Sequence, residues 1–257
     1  MDIIFLVFFF IIGTAVGSFL NVLIDRLPNE QEINGRSHCD YCQRNLDWYE
    51  LIPLVSFFLQ GGKSRCCHKK ISWQYPTVEM TTGVAFLLIS NFKFQISNIH
   101  DRLPITDFRL LLTFGIVSCL IVIFFSDIKY QIIPDSVQVV FFGFSMIFRF
   151  ITVFPNYYLL ATNYLVPSLI VLFPILFLWL ITKGKGMGFG DVKFSLIMGV
   201  LLGLKGGLVA LYLAFITGGI VGLILVLLKK KKLKSKIAFG PFLAIGTIIM
   251  LFFADKV

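Results

Sequence analysis

Runs of about twenty residues without charge recur along this chain, and they constrain the fold more than any other feature. The first, from Ile3 to Ile24, contains no ionisable side chain. A hydrocarbon core about 30 Å thick is crossed by roughly 20 apolar residues as helix. Inside lipid only helices and closed barrels satisfy their own backbone polar groups. About eight such spans are expected, at 3–24, 76–92, 109–126, 135–153, 163–182, 191–204, 207–228 and 239–253, with Gly206-Gly207 as a turn. The expected fold class is therefore an all-α polytopic membrane protein, and the share of hydrophobic residues, 57% of 257, agrees. No basic segment precedes the first run and no small-residue cleavage site follows it, so it reads as a retained helix. Two regions are expected. Residues 1–92 hold the first span, a polar loop at 25–75 and the second span; residues 109–257 hold the third to eighth.

Lysine and arginine mark the cytoplasmic side of a membrane protein. One set of loops carries Arg26, Arg36, Arg44, Lys63, Arg65, Lys69, Lys70, Lys129, Lys183, Lys185 and the run Lys229–Lys236. The opposite set carries Lys93, Arg102, Arg109, Arg149, Lys205 and Lys256. The richer set is expected to be cytoplasmic. The net charge of +9 is then explained by loops facing anionic lipid, and no nucleic-acid partner is expected.

Two carboxylates stand at the edges of separate spans on that face. Asp127 follows the third span and Asp191 opens the sixth, inside Gly188-Phe189-Gly190-Asp191. An Asp at a helix C-terminus opposes the helix dipole by about 0.3–1 kcal/mol, so local structure does not ask for Asp127. Asp191 can be a helix cap and nothing more. Together the two can share a proton, because carboxylates about 3 Å apart do not both ionise. The ionised one draws a proton from water, and the protonated one donates to a carbonyl oxygen. Gly188 and Gly190 leave room for a peptide to approach, and are the candidate substrate-binding glycines. Asp135, after Pro134, reads as the N-cap of the fourth span.

Glu79 lies just inside the second span. An ionisable group there is functional by default: it would touch a substrate amine or pair with a basic residue, unless it simply reaches water. Gly17, Ser18 and Asn21 form a small, polar face suited to tight helix packing. Cys119, inside an apolar run, reads as packing. Cys39, Cys42, Cys66 and Cys67 all fall in the polar loop. In a reducing compartment clustered thiols favour zinc over disulfides. Cys39 and Cys42 have knuckle spacing; Cys66 and Cys67 are adjacent, so the fourth ligand is open among Cys66, His38 and His68.

The chain resembles the aspartyl prepilin peptidases, the type IV leader peptidases. The resemblance rests on Gly188-Phe189-Gly190-Asp191 and on Asp127 followed by Ile132-Ile133-Pro134-Asp135. It also rests on Gly17-Ser18-Phe19-Leu20-Asn21-Val22, Asp25-Arg26-Leu27-Pro28, Trp48-Tyr49-Glu50-Leu51-Ile52-Pro53, Ile71-Ser72-Trp73-Gln74-Tyr75-Pro76 and Phe239-Gly240-Pro241-Phe242. It implies cleavage of prepilin or pseudopilin leaders after a glycine, at the cytoplasmic face of a bacterial inner membrane, with Asp127 and Asp191 as the catalytic pair. In many members the new N-terminus is then methylated with S-adenosylmethionine. Members with this loop carry a second C-x-x-C before Ile-Ser-Trp; here Cys67 matches its last cysteine, and Ser64 stands at the first. No residues of this chain are singled out for the methyl donor. Two readings from other classes compete: a proton-coupled transporter relaying protons through the two aspartates, and an inactive zinc-loop scaffold. The first should place its carboxylates near the midplane, often between repeats, and this chain shows neither.

Overall fold

The structure is a computed structural model that describes residues 3–96, 108–154, 156–184, 186–228 and 238–253. Among them the regular structure is helical, with two isolated β-bridges in the polar loop. The helices are α1 (Ile3–Arg26), α2 (Val55–Leu59), α3 (Gln74–Ile96), α4 (Phe108–Tyr130), α5 (Asp135–Val153), α6 (Tyr157–Leu160), α7 (Val166–Thr182), α8 (Phe189–Leu227) and α9 (Gly240–Phe253). Five described helical segments are long and apolar enough to cross a membrane, and they include α1, α4, α5 and α8. Large apolar side chains stay exposed along them, among them Leu169, Ile170, Phe173, Phe177 and Ile181 on α7. An apolar face of that extent suits lipid, not water. The chain is an integral membrane protein. The expected lysine anchor at Lys229–Lys236 lies outside the described residues.

The chain divides into two compact units, Met1–Phe114 and Gly115–Val257. In the first, α1 and α3 pack with almost no space between backbones. A Cβ on Gly13 would stand 2.8 Å from the Gly83 Cα, and one on Gly17 would stand 2.7 Å from the Glu79 Cα. Lipid gives no hydrophobic drive for helix pairing, so small residues that permit close van der Waals contact decide which faces meet. Asn21, on the same face, donates from Nδ2 to the Tyr75 carbonyl at 3.1 Å. The packing reading of Gly17 and Asn21 describes what this face does.

In the second unit the expected turn at Gly206-Gly207 falls elsewhere. Both glycines are helical, and the break is at Gly203, whose φ of 71° and ψ of −171° are non-helical. The chain doubles back there: a Cβ on Gly207 would lie 3.5 Å from the Gly199 Cα, although eight residues of straight helix span about 12 Å. Gly199 also abuts Ser168, and Gly207 abuts Val171, so α7 packs across both legs of this hairpin. Arg149, expected as a charge on the opposite face, donates from Nε to the Leu201 carbonyl at the break and from Nη1 to the Tyr164 hydroxyl at 3.4 Å. Its guanidinium lies over the Tyr164 ring at 4.5 Å. The Leu201 carbonyl beside the break thereby has a side-chain donor. A backbone of this shape is essentially restricted to glycine, so Gly203→Ala is expected to destabilise the unit by about 1–3 kcal/mol. A lowered midpoint of thermal unfolding in detergent checks this.

Candidate active site

Asp127 sits inside the last turn of α4, which runs one turn past the expected end at Ser126. Gln131, with φ of 55°, ends the helix, and Ile132–Pro134 lead into α5. The Asp127 side chain is 5% exposed. Its Oδ2 accepts the backbone N–H of Gly240 at 2.8 Å. Gly240 is the first residue of α9, so the positive end of a second helix faces the carboxylate. That contact offsets the unfavourable position at the end of its own helix.

Asp191 is 6% exposed. It is not the cap residue: Gly188 is the N-cap of α8, and Asp191 stands in the first turn. Its Oδ2 accepts the Gly188 N–H at 3.2 Å, while its Oδ1 is buried with no hydrogen-bond partner. Ile133 joins the two sites. A Cβ on Gly240 would lie 3.1 Å from the Ile133 Cδ1, and one on Gly190 would lie 3.2 Å from the Ile133 Cβ. Two buried acids, from α4 and α8, therefore flank the packing of Ile133, and the Oδ1 of Asp191 has no donor. A buried carboxylate oxygen without a partner is costly, and a water or a shared proton removes that cost.

The two glycines of the loop differ. Gly188 is exposed, and apart from Asp191 Oδ2 and the Gly190 nitrogen nothing lies within 4 Å of where its Cβ would be. Beside Gly190 the space is filled by Ile133 and Gln138. Gln138 went unnoticed in the sequence. Its Nε2 donates to the Gly190 carbonyl at 3.1 Å, and its Oε1 is buried without a partner. The available signal was an amide inside an otherwise apolar span, a position that asks for a reason. Asp135 is not the N-cap of α5, because Pro134 occupies that place. Its Oδ1 pairs instead with Lys193 Nζ at 2.7 Å, an exposed ion pair between α5 and α8.

Glu79 is 8% exposed, and its Oε2 accepts the Leu54 backbone N–H at 2.7 Å. The loop cysteines come together. Their four sulfurs lie within 4.8 Å of one another, and no histidine joins the group among the described residues. Two similar turns bring them there. In the first, Cys39 N–H donates to the Arg44 carbonyl and Gln43 N–H to the Cys39 carbonyl, both at 2.9 Å. In the second, Ser64 and His68 make the same pair of bonds, to Lys69 at 2.9 Å and to Ser64 at 2.8 Å. Gln43 and His68 match too, with φ of 59° and 55°. Ser64 thus stands where Cys39 stands, Cys67 where Cys42 stands, and Cys66 reaches in beside Ser64 with its sulfur 2.9 Å from the Ser64 hydroxyl. Cys39 and Cys67 sulfurs are 3.8 Å apart, close to the edge of a tetrahedron with Zn–S bonds of about 2.3 Å. Burial works against ionising Cys39, but the Ser64 hydroxyl and the Cys42 and Tyr41 amides hold its thiol at about 6. The adjacent Cys42 pushes Cys66 up to about 12. The cluster can bind a metal ion.

Fold and site together define a polytopic membrane protein in which two buried aspartates, on separate helices, are each held by a backbone amide. Residues 11–92 match the family described as bacterial peptidase A24 N-terminal domain, and residues 114–223 match the type IV leader peptidase family. The prepilin leader peptidase/N-methyltransferase of Bacillus subtilis is 30% identical over 96% of this chain and 94% of its own length. The protein of the same name from Pectobacterium carotovorum is 30% identical over 93% and 89%, and that from Pseudomonas aeruginosa 27% over 96% and 90%. No solved structure matches the chain. The chain belongs to the type IV leader peptidase family, and it is a membrane peptidase.

Proposed function

We propose that this chain is an aspartyl endopeptidase that removes the leader from prepilin or pseudopilin precursors, after a glycine, at the cytoplasmic face of a bacterial inner membrane. The observation that carries the proposal is the pair Asp127 and Asp191: both buried, from different helices, with one oxygen of Asp191 left without a donor. One carboxylate holds the proton and the other takes a proton from the attacking water. Gly240 fixes Asp127, and the Gly188 amide fixes Asp191. The open side at Gly188 admits the scissile strand. Gly190 contributes to the same wall through its packing on Ile133 and Gln138. On this reading residues 109–257 are the peptidase core, and residues 1–92 carry the cysteine loop. Precursors anchored by an apolar helix would reach the site from the bilayer. Mass spectrometry of a precursor co-expressed with this chain tests the reading: the leader mass should be lost at a glycine, and an intact precursor would refute it.

The relatives' names include N-methyltransferase, and we extend that activity to this chain, with S-adenosylmethionine as the donor that supplies an electrophilic methyl group. The described residues contain no strand, so a strand–turn–helix cradle for the adenosyl group does not fit here, and no step is derived through it.

The cysteine cluster is proposed to hold zinc with a structural role, through Cys39, Cys42, Cys66 and Cys67. Cys66→Ser is expected to lose stoichiometric zinc in elemental analysis of the purified protein. Adding Ser64→Cys to that variant should restore it, because Ser64 occupies the second turn's counterpart of Cys39. Unchanged zinc in Cys66→Ser would remove Cys66 from the ligand set.

A further inference from the structure

The polar loop of the first unit carries a stretch that is not polar. Between Trp48 and Leu59 the side chains of Trp48, Leu51, Ile52, Val55, Phe58 and Leu59 are all exposed, Trp48 at 77%, Phe58 at 66% and Leu59 at 79%. Large apolar side chains grouped in this way mark a contact surface. The depth of the stretch decides what it contacts. At 1.5 Å per residue the uncharged run Ile3–Ile24 of α1 is about 33 Å long, against a hydrocarbon core of about 30 Å. The run has little length to spare, so its ends lie near the two boundaries of the hydrocarbon. Gly17 stands about 10 Å short of the Ile24 end. It packs on the Glu79 backbone, its Cβ position 2.7 Å from the Glu79 Cα. Glu79 in turn holds the start of α2, because its Oε2 accepts the Leu54 N–H. The backbone turns sharply there: Leu54 has φ of 61° and ψ of −51°, and Val55 N–H donates to the Pro53 carbonyl at 2.6 Å. A γ-turn of this hand is strained, and the bond to Glu79 holds it in place. Leu51, Ser56 and Phe57 also line one cavity with Ser18, Asn21 and Val22 of the uncharged run. The start of α2 thus lies alongside the last turns of that run and not beyond its end.

Two neighbouring features agree with that depth. The Phe57 ring packs on the Trp73 ring at 5.0 Å, and Trp73 immediately precedes α3. Trp73 is itself exposed and heads a row along one face of α3 with Thr77, Met80, Val84 and Leu88, all exposed. The apolar stretch therefore continues an exposed, mostly apolar row on the helix that pairs with α1. Charge is the second feature. From Leu51 to Trp73 the chain has four basic residues, Lys63, Arg65, Lys69 and Lys70, all exposed, and no acidic one. The Arg65 guanidinium lies over the Tyr49 ring at 5.1 Å, and that ring meets Trp48 at 5.8 Å. Tryptophan and tyrosine with lysine and arginine beside them suit the headgroup level of a membrane, where the ring bodies are apolar and the cations stay wet.

We infer that the stretch Trp48–Leu59 lies in the interface of the lipid bilayer, its apolar side chains against the acyl chains and the basic residues after it at the headgroups. The inference rests on the chain being an integral membrane protein, and not on which residues cleave. It is tested on the full chain in liposomes of phosphatidylcholine and phosphatidylglycerol, with or without bromine on the acyl chains. The chain has three tryptophans, Trp48, Trp73 and Trp179. With Trp73→Phe and Trp179→Phe, Trp48 reports alone. With all three replaced by Phe, Phe58→Trp reports from α2. Each reporter is expected to lose more of its emission to brominated chains than to iodide in the aqueous phase. Greater loss to iodide in either reporter puts the stretch in water and overturns the inference. Shielding from both quenchers means that protein covers the stretch, and overturns it as well. So does shielding from iodide that arises only when a purified precursor is added, which assigns the face to a peptide partner. The Trp48 reporter needs only conservative changes outside the stretch, so it decides the matter even where the Phe58→Trp protein does not insert.

Discussion

Asp127→Asn is expected to lower precursor cleavage by at least about 10³-fold, within the range that general acid–base groups contribute. The substitution keeps the shape and leaves an oxygen to accept the Gly240 N–H, so α4 and α9 should remain joined at this point. What is lost is ionisation. An amide neither holds a shared proton nor takes one from water. Asp191→Asn should fall as far, because its unpartnered Oδ1 is the oxygen through which it would meet that proton or water. The measurement is cleavage of a purified precursor by protein reconstituted in liposomes, with each variant first shown to insert. A variant within about tenfold of the parent would remove that residue from the chemistry.

Gly240→Ala should cost nearly as much without touching a reacting group. The new Cβ would stand 2.7 Å from Asp127 Oδ2 and 3.1 Å from Ile133 Cδ1. Asp127 must turn away or the start of α9 must move, and either change breaks the 2.8 Å bond that aims the carboxylate. A displacement of about 1 Å at a catalytic group costs on the order of 10²-fold, so kcat is expected to drop by about that much with KM little changed. Gly219→Ala is the control. Nothing lies within 4 Å of its Cβ position, and alanine is the better helix former, so this variant should be fully active. Equal loss in both variants would mean that helix composition, not the Asp127 contact, sets the rate.

Much of this site was legible because membrane sequences place charge sparingly. Asp127 and Asp191 stand out from apolar runs, and each proved buried. The cysteines were equally visible, but their adjacency argued against four sulfurs converging. The second turn resolves that: Ser64 takes the place expected for a thiol, and Cys66 enters beside it. Asp135 misled for a different reason. Cap preference is a local rule, and Pro134 fills the cap while Lys193, 58 residues away, claims the carboxylate. Gly206 and Gly207 looked like a turn because paired glycines usually are one. They are helical instead, because α7 and the other leg of α8 need the space a side chain would fill.

The amino-acid sequence by itself determined that this chain lives in a bilayer as helices, which residues are candidates for its chemistry, and to which family it is similar. These follow from hydropathy, charge and residue type, which act locally or can be counted along the chain. The tertiary structure decided the rest: that α9 presents an amide to Asp127, that Gln138 and Ile133 pack on Gly190, that the hairpin folds at Gly203, and that Asn21 reaches the Tyr75 carbonyl. Each of these is a contact between residues distant in the chain. Such contacts depend on how closely helices approach, and in a membrane that is set by where small residues on two different helices coincide.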